Sequence, residues 1–234
     1  MLPTPRRVIS NPRLLRARLW RGRIGLGLVA ALSMLAGMTD AIGFLATGDF
    51  VSFMSGNTTR LAVAISVGDW TTTLRLMWVV IAFVAGNALG VVIRRKTGRH
   101  ALPLMLGITA LLCAAALAPF TVQTVSLLMT IMAMGALNAA VEQVNGLPIG
   151  LTYVTGALSR FGRGLGAWMT GRRNPGWRVQ LIPWLGMFAG AIVGATLQRH
   201  VGLDALWASG AVALVLGLVS LSIPRRWHHS YRSS

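Results

Sequence analysis

Long apolar runs alternate with short polar or basic stretches along the whole chain. Residues 24–47, 73–93, 101–119, 122–141, 179–197 and 203–223 are each apolar over about the length needed to cross a hydrocarbon core of ~30 Å. Two further segments, 50–67 and 147–169, are apolar but flawed, because each carries polar residues and an arginine near its middle. Whether they cross decides the topology, and the basic residues choose. Eight crossings would place the loop with Arg94, Arg95, Lys96 and Arg99 across the membrane from the arginine-rich start of the chain. Six crossings, with each flawed segment entering and leaving on one side, keep 19 of the 22 basic residues on the side of the N-terminus. Basic loops resist translocation, so the six-crossing arrangement is expected, with both termini cytoplasmic. Only Arg60, Arg75 and Arg199 then lie outside or within the membrane.

Composition agrees. Hydrophobic residues make up 54% of the chain and charged ones 12%, about half the charge that a soluble domain needs to cover its surface. A net charge of +17 could point to nucleic acid, but the cations are confined to loops and ends, so no nucleic-acid partner is expected. Residues 1–23 form a basic cytoplasmic segment that could also touch anionic lipid; 24–223 form one transmembrane domain and 224–234 a basic tail. A cleaved signal peptide at the start is disfavoured, since Gly37 and Asp40 just beyond it belong to an internal repeat. The lone Cys113 excludes an internal disulfide and reads as a small core residue.

The repeat is the second informative pattern. Gly37-Met-Thr-Asp40-Ala41 recurs as Gly135-Ala-Leu-Asn138-Ala139, and Phe53-Met-Ser55-Gly56-Asn57-Thr58-Thr-Arg60 recurs as Tyr153-Val-Thr155-Gly156-Ala157-Leu158-Ser-Arg160. Ala85-Gly86-Asn-Ala-Leu-Gly90 recurs as Ala189-Gly190-Ala-Ile-Val-Gly194, and the offset drifts only from 98 to 100 to 104 residues. Three crossings per half is an odd number, so the second half, about 122–223, would be inserted upside down relative to the first, about 24–119. The expected fold is therefore an all-α membrane protein of about six transmembrane helices plus two re-entrant half-helices, arranged as an inverted repeat. The paired GxxxG glycines read as close helix packing.

The chemistry collects on the flawed segments. Ser55-Gly56-Asn57-Thr58 has the makings of a helix start, whose free N–H groups such side chains can cap. A helix from about Asn57 would reach only about half-way across the hydrocarbon core. In the second copy, Asn145-Gly146-Leu147-Pro148 breaks the preceding helix, and a β-prone stretch leads to Thr155-Gly156. Two half-helix starts at the midplane would turn their positive ends toward a shared site, flanked by Arg60, Arg160, Asp40 and Asn138. Asp40 lies about 10 Å inside its span, where an ionisable group is costly and marks a pathway or a proton relay. An Asp40–Arg60 ion pair that merely ties the first half together is the plainer alternative. Arg160 and Arg163 read more simply as cytoplasmic anchors. Glu142 reads as solvated or paired, Asp49, Asp69 and Asp204 as ordinary outer-loop residues, and His228 and His229 as solvated tail residues rather than metal ligands. No metal, cofactor or catalytic motif stands out.

The stretch Phe50-Val-Ser-Phe-Met-Ser-Gly-Asn-Thr58, with Asp40-Ala-Ile-Gly-Phe44 upstream, resembles the YoaK family of bacterial multi-spanning membrane proteins. Tyr153-Val-Thr-Gly-Ala-Leu158 is similar to that family's second signature, and the likeness covers about residues 25–223. The resemblance implies a bacterial inner-membrane protein of about six spans, without supplying a ligand or a catalytic residue.

Three classes of function follow. A secondary transporter or facilitator of a small anionic or polar solute would use Asp40, Ser55, Gly56, Asn57, Thr58, Arg60, Asn138, Thr155, Gly156 and Arg160 around a midplane cavity. A membrane scaffold, with a homodimer open to it through its GxxxG faces, is the second. An intramembrane serine hydrolase built on Ser55-Gly56 with His100 or His200 is the third, disfavoured because Phe53 stands where a glycine is expected and a single nucleophile leaves the duplication unexplained. No enzyme activity is expected.

Overall fold

The computed structural model describes residues 12–97, 101–118, 123–140, 154–172 and 176–222. Among them are eight α-helices and no strand: α1 (Pro12–Thr47), α2 (Met54–Ser66), α3 (Trp70–Thr97), α4 (Leu102–Leu117), α5 (Gln123–Ala140), α6 (Val154–Met169), α7 (Leu181–Val201) and α8 (Ala205–Leu221). This is an all-α membrane protein. Ile24–Thr47, Trp70–Thr97 and the joined α7–α8 stretch Trp177–Leu221 are long and apolar enough to cross a bilayer; α4 and α5 are apolar and shorter. The six expected crossings are all helices, shifted by a few residues at their ends, and α1 begins well before residue 24.

Partners are exchanged between the two halves. The largest packed faces join α1 to α7 and α3 to α5, while α4 packs on α8. Smaller faces join α4 to α5, α1 to α8, α2 to α3, and α6 to α7. Swapping the first four helices for the last four leaves this set of pairs unchanged. Glycine makes the main seams possible, because without side chains the backbones can touch. Gly190 and Gly194 of α7 lie against the backbones of Met34 and Met38 of α1, and Gly86 and Gly90 of α3 against Met132 and Ala136 of α5. Gly37 against Met187 and Gly135 against Phe83 complete the two seams. Each of these three contacts of one seam has its counterpart in the other at the sequence offsets of the repeat.

Hydrogen bonds at the helix ends fix how the bundle is threaded. Gln123, opening α5, donates from Nε2 to the Ala46 carbonyl near the end of α1 at 2.7 Å. Arg94, late in α3, donates to the Ala139 carbonyl at the end of α5. α1 therefore runs antiparallel to α5, and α3 runs parallel to it. Arg75 of α3 lies 3.2 Å from Asp49, two residues past the end of α1. So the chain leaves α1 and enters α3 at the same end of the bundle. α2, at 13 residues or about 20 Å, does not carry it across. Gly48 and Gly68, with φ of 77° and 74°, bracket this excursion. Both adopt the left-handed backbone that glycine takes without steric cost.

Candidate functional site

Residues 48–53 fold back from the end of α1 along its own side, and their peptide groups need partners away from water. Asp40 supplies them: its Oδ1 accepts the Val51 N–H at 2.7 Å and the Ser52 N–H at 2.8 Å. Asn57 does the same from α2, accepting the Phe50 N–H at 3.1 Å and donating to the Phe50 carbonyl at 2.6 Å, as a neighbouring strand would. Both side chains are buried, with Asn57 fully so. Aromatic packing closes the segment. Phe50 stacks on Phe44 at 4.7 Å between centroids and meets Phe53 edge-on at 5.4 Å. Gly56 must lack a side chain, because a Cβ there would fall 2.8 Å from Phe53 Cε1 and 3.1 Å from Phe50 Cδ2.

A cationic cluster sits at the mouth of this excursion. Arg60 donates to the Gly48 carbonyl and to Asp49 Oδ1, the latter at 2.6 Å. The second Asp49 oxygen faces Arg75 Nε at 3.2 Å, within ion-pair reach but misaligned for a hydrogen bond. Asp49 is fully buried while both arginine side chains are over a third exposed, so two cations share one anion and leave an excess of positive charge near the surface.

Several sequence expectations are corrected by this geometry. Asp40 pairs with backbone and not with Arg60; Arg60 belongs to Asp49, which is no ordinary loop residue but the buried centre of the cluster. Ser55-Gly56-Asn57-Thr58 does not cap α2, which starts earlier, at Met54, with no side-chain cap on its first turn. Asn57 reaches back to Phe50 instead, and the Thr58 hydroxyl donates to the Met54 carbonyl one turn behind at 2.8 Å. Ser55 and Thr58 are exposed on the bundle surface.

The second copy is built differently. Its proline-led approach, 145–153, lies outside the described residues, as do Glu142, His228 and His229. Ala157 is buried where the first copy has Asn57, so no side-chain amide is available for the equivalent clamp. Arg160 donates from Nε to Gln180 Oε1 at 2.7 Å, tying α6 to the turn that precedes α7. Thr155 is exposed, Gly156 partly so, and Asn138 lies half-buried late in α5 with its own interactions in the bundle. The two half-helices do not converge on a shared packed face: α2 rests on α3, and α6 on α7. The structure thus gathers Asp40, Asn57, Arg60 and Gly56 around one folded-back segment and leaves Thr155, Gly156 and Arg160 in a separate place. Asp49, Arg75 and Gln180 escaped the sequence reading. A carboxylate partner for the otherwise unexplained Arg60 and Arg75 was the available clue.

Among the described residues, no group of three or more His, Cys, Asp or Glu side chains could hold a metal ion. Residues 28–219 match the family model DUF1275, described as a protein of unknown function. The chain is 53% identical over 216 residues to the UPF0700 transmembrane protein RA0705 of Rhizobium meliloti (strain 1021), covering 92% of this chain and 94% of that protein. No solved structure matches. A match over most of its length, together with this close relative, places the chain in the DUF1275 family of transmembrane proteins.

Proposed function

We propose that this protein is a secondary transporter or facilitator of a small polar or anionic solute, seated in the bacterial inner membrane with both termini cytoplasmic. The observation that carries the reading is the exchange of partners between halves. Helices α1 and α7 form one glycine-lined pair, α3 and α5 form its counterpart, and the two are joined by smaller faces. In this reading the halves form an inverted repeat with two related arrangements of the same parts, and rocking one pair against the other supplies alternating access. Irregular backbone at membrane depth, as in 48–53, is tolerated where protein buries it or where it lines a cavity. The surplus positive charge of Arg60 and Arg75 over Asp49 favours an anion at the outer mouth.

In this reading Asp40 links proton and gate. As a carboxylate it makes two charge-assisted hydrogen bonds to the folded-back segment, and these weaken when it takes up a proton. The segment then loosens from α1, and the mouth beside Arg60 and Arg75 opens to solute. No catalytic residue and no cofactor enter the scheme. The second reading, a scaffold whose polar residues only hold the fold, is favoured by one observation: Asp40 and Asn57 both direct hydrogen bonds to backbone.

Accessibility separates the two. Single cysteines replace Ser55 and Thr155 in a Cys113→Ser background, and membrane-impermeant thiol reagents are applied from each face. Reaction of both sites, from opposite faces, supports a transport pathway; silence at both in a folded protein leaves the scaffold. A solute-flux screen comparing wild type with Asp40→Asn follows. Asparagine still accepts the two backbone N–H groups, so loss of proton-coupled flux in a stable variant would mark coupling and not structure.

A further inference from the structure

We propose that the open trench between α1 and α7 is a binding site for one anionic phospholipid. An acyl chain lies against Ala41, Ala191 and Ala195, and the headgroup phosphate is held by Arg199. The site lies beside the folded-back segment and shares Phe44 with its packing, but its floor and its cation, Arg199, play no part in the transport reading.

The trench has about 310 Å³ of accessible space and is open along one side. Its floor is made of alanines from both helices, and its walls of Phe44 and Leu45 from α1 with Phe188 and Ile192 from α7. Small residues below and large ones beside them make a channel of chain-like section. The walls are held in place: Phe44 stacks on Phe50, and Phe188 stacks face to face on Trp184 at 5.2 Å. This groove is therefore preformed and lies on the surface of the bundle that meets lipid.

Charge selects the occupant. Three arginines occupy this end of the molecule, away from the basic N-terminal segment. Arg60 and Arg75 share Asp49, whereas Arg199 is exposed and makes no ion pair among the described residues. It stands in the last turn of α7 at the end of the trench. Exposed Trp70, opening α3, and Trp207, in the first turn of α8, stand at the same end of the bundle. Tryptophans gather at the membrane interface, so they mark the headgroup level there. A guanidinium at that level above an apolar channel matches a phosphodiester joined to an acyl chain, and arginine can meet two phosphate oxygens at once. A zwitterionic phospholipid fills the channel equally well, but its phosphate is already partnered by its own quaternary ammonium, so it gains less from the guanidinium than a net anionic one.

The test reads this groove alone. In the full-length Cys113→Ser protein, Leu185→Cys, one turn along α7 from Phe188, carries a fluorophore. Nitroxide-labelled phosphatidylglycerol and phosphatidylcholine with the same chains are then titrated in mixed micelles. Quenching by phosphatidylglycerol is expected at about a tenfold lower mole fraction, as one charged hydrogen-bonded contact supplies. Arg199→Gln removes that preference and Arg199→Lys retains most of it. Ala195→Phe, which fills the floor, weakens quenching by both lipids. Equal quenching by the two lipids in wild type overturns the proposal. So does a preference that survives Arg199→Gln, or a groove that quenches as before with Ala195→Phe. Size-exclusion profiles confirm that each variant is folded, and Arg199, being exposed, can be replaced without disturbing the core.

Discussion

Replacing Gly190 with alanine tests the seam on which the architecture rests. The added Cβ would lie 2.8 Å from the Met34 Cα of α1 and nearer still to its carbonyl. Carbon atoms in good contact sit about 3.5–4.0 Å apart, so α1 and α7 must separate by at least ~0.7 Å. Backbone cannot swing aside as a flexible side chain would. A radial gap of about 0.5–1 Å already forfeits a quarter to a half of each dispersion contact. The seam also includes Met38 against Gly194, Gly37 against Met187 and Ala30 against Gly186, so the loss is felt along several turns. Overpacking of this kind costs about 1–3 kcal/mol. The control is the same substitution in α1 itself: Gly27 has nothing within 4 Å of its would-be Cβ, and Gly27→Ala should gain up to about 1 kcal/mol of helix propensity. Equilibrium unfolding in mixed micelles should then separate the two variants by at least ~1 kcal/mol. Gly86→Ala, whose Cβ would also lie 2.8 Å from a methionine Cα, that of Met132, should behave like Gly190→Ala. If Gly190→Ala is no less stable than Gly27→Ala, or if Gly86→Ala is harmless, the matched seams are wrong.

Three other predictions concern the polar residues. Asp40→Ala strands the N–H groups of Val51 and Ser52 and should destabilise the protein by about 1–3 kcal/mol for each. Asp40→Asn keeps an acceptor and should lose less than half as much in the same unfolding assay; the opposite order would mean that the clamp is not what holds 48–53. Asp49→Ala leaves Arg60 and Arg75 facing each other. Its cost should fall below the roughly 3–5 kcal/mol of a fully buried pair, because both arginine side chains are over a third exposed, and adding Arg75→Gln should recover part of it. Asp69, between α2 and α3, has its carboxyl held below the ordinary range by hydrogen bonds from the Thr72 side chain and backbone. A folded-state value lowered in this way adds stability above the unfolded value and loses it as pH falls through the folded one. Protection of the Thr72 and Thr73 amides from exchange, relative to their intrinsic rates, should therefore fall on acidification in wild type and not in Asp69→Asn.

The apolar helices were legible because length and apolar content act on whole segments, and an error of a few residues at an end changes little. The fold-back at 50–67 was legible from loop charge: eight crossings would have misplaced the Arg94–Arg99 cluster. Individual side chains were harder. Ser55-Gly56-Asn57-Thr58 has the composition of a cap, yet Asn57 serves the chain seven residues earlier, because buried backbone there needs a partner more than the helix start does. Asp49 looked like a loop residue since nothing in a sequence tells that a loop turns inward. GxxxG announced close packing without naming the partner, which depends on the whole arrangement; that α3 would choose α5, and α7 choose α1, could not be read from the glycines alone.

The exchange of partners has a consequence for how the protein is made. Helix α1 emerges from the ribosome well before its main partner, α7, which follows only after about 130 further residues of chain, some seconds or more at ordinary rates of synthesis. Until then the glycine-facing side of α1 has only lipid or the insertion machinery to lie against, and the first half can form neither main seam. A chain stopped after α4 should be degraded, and the two halves should rescue each other when produced together as separate pieces. Synthesis order thus makes a late helix, α7, the part that completes an early one, α1.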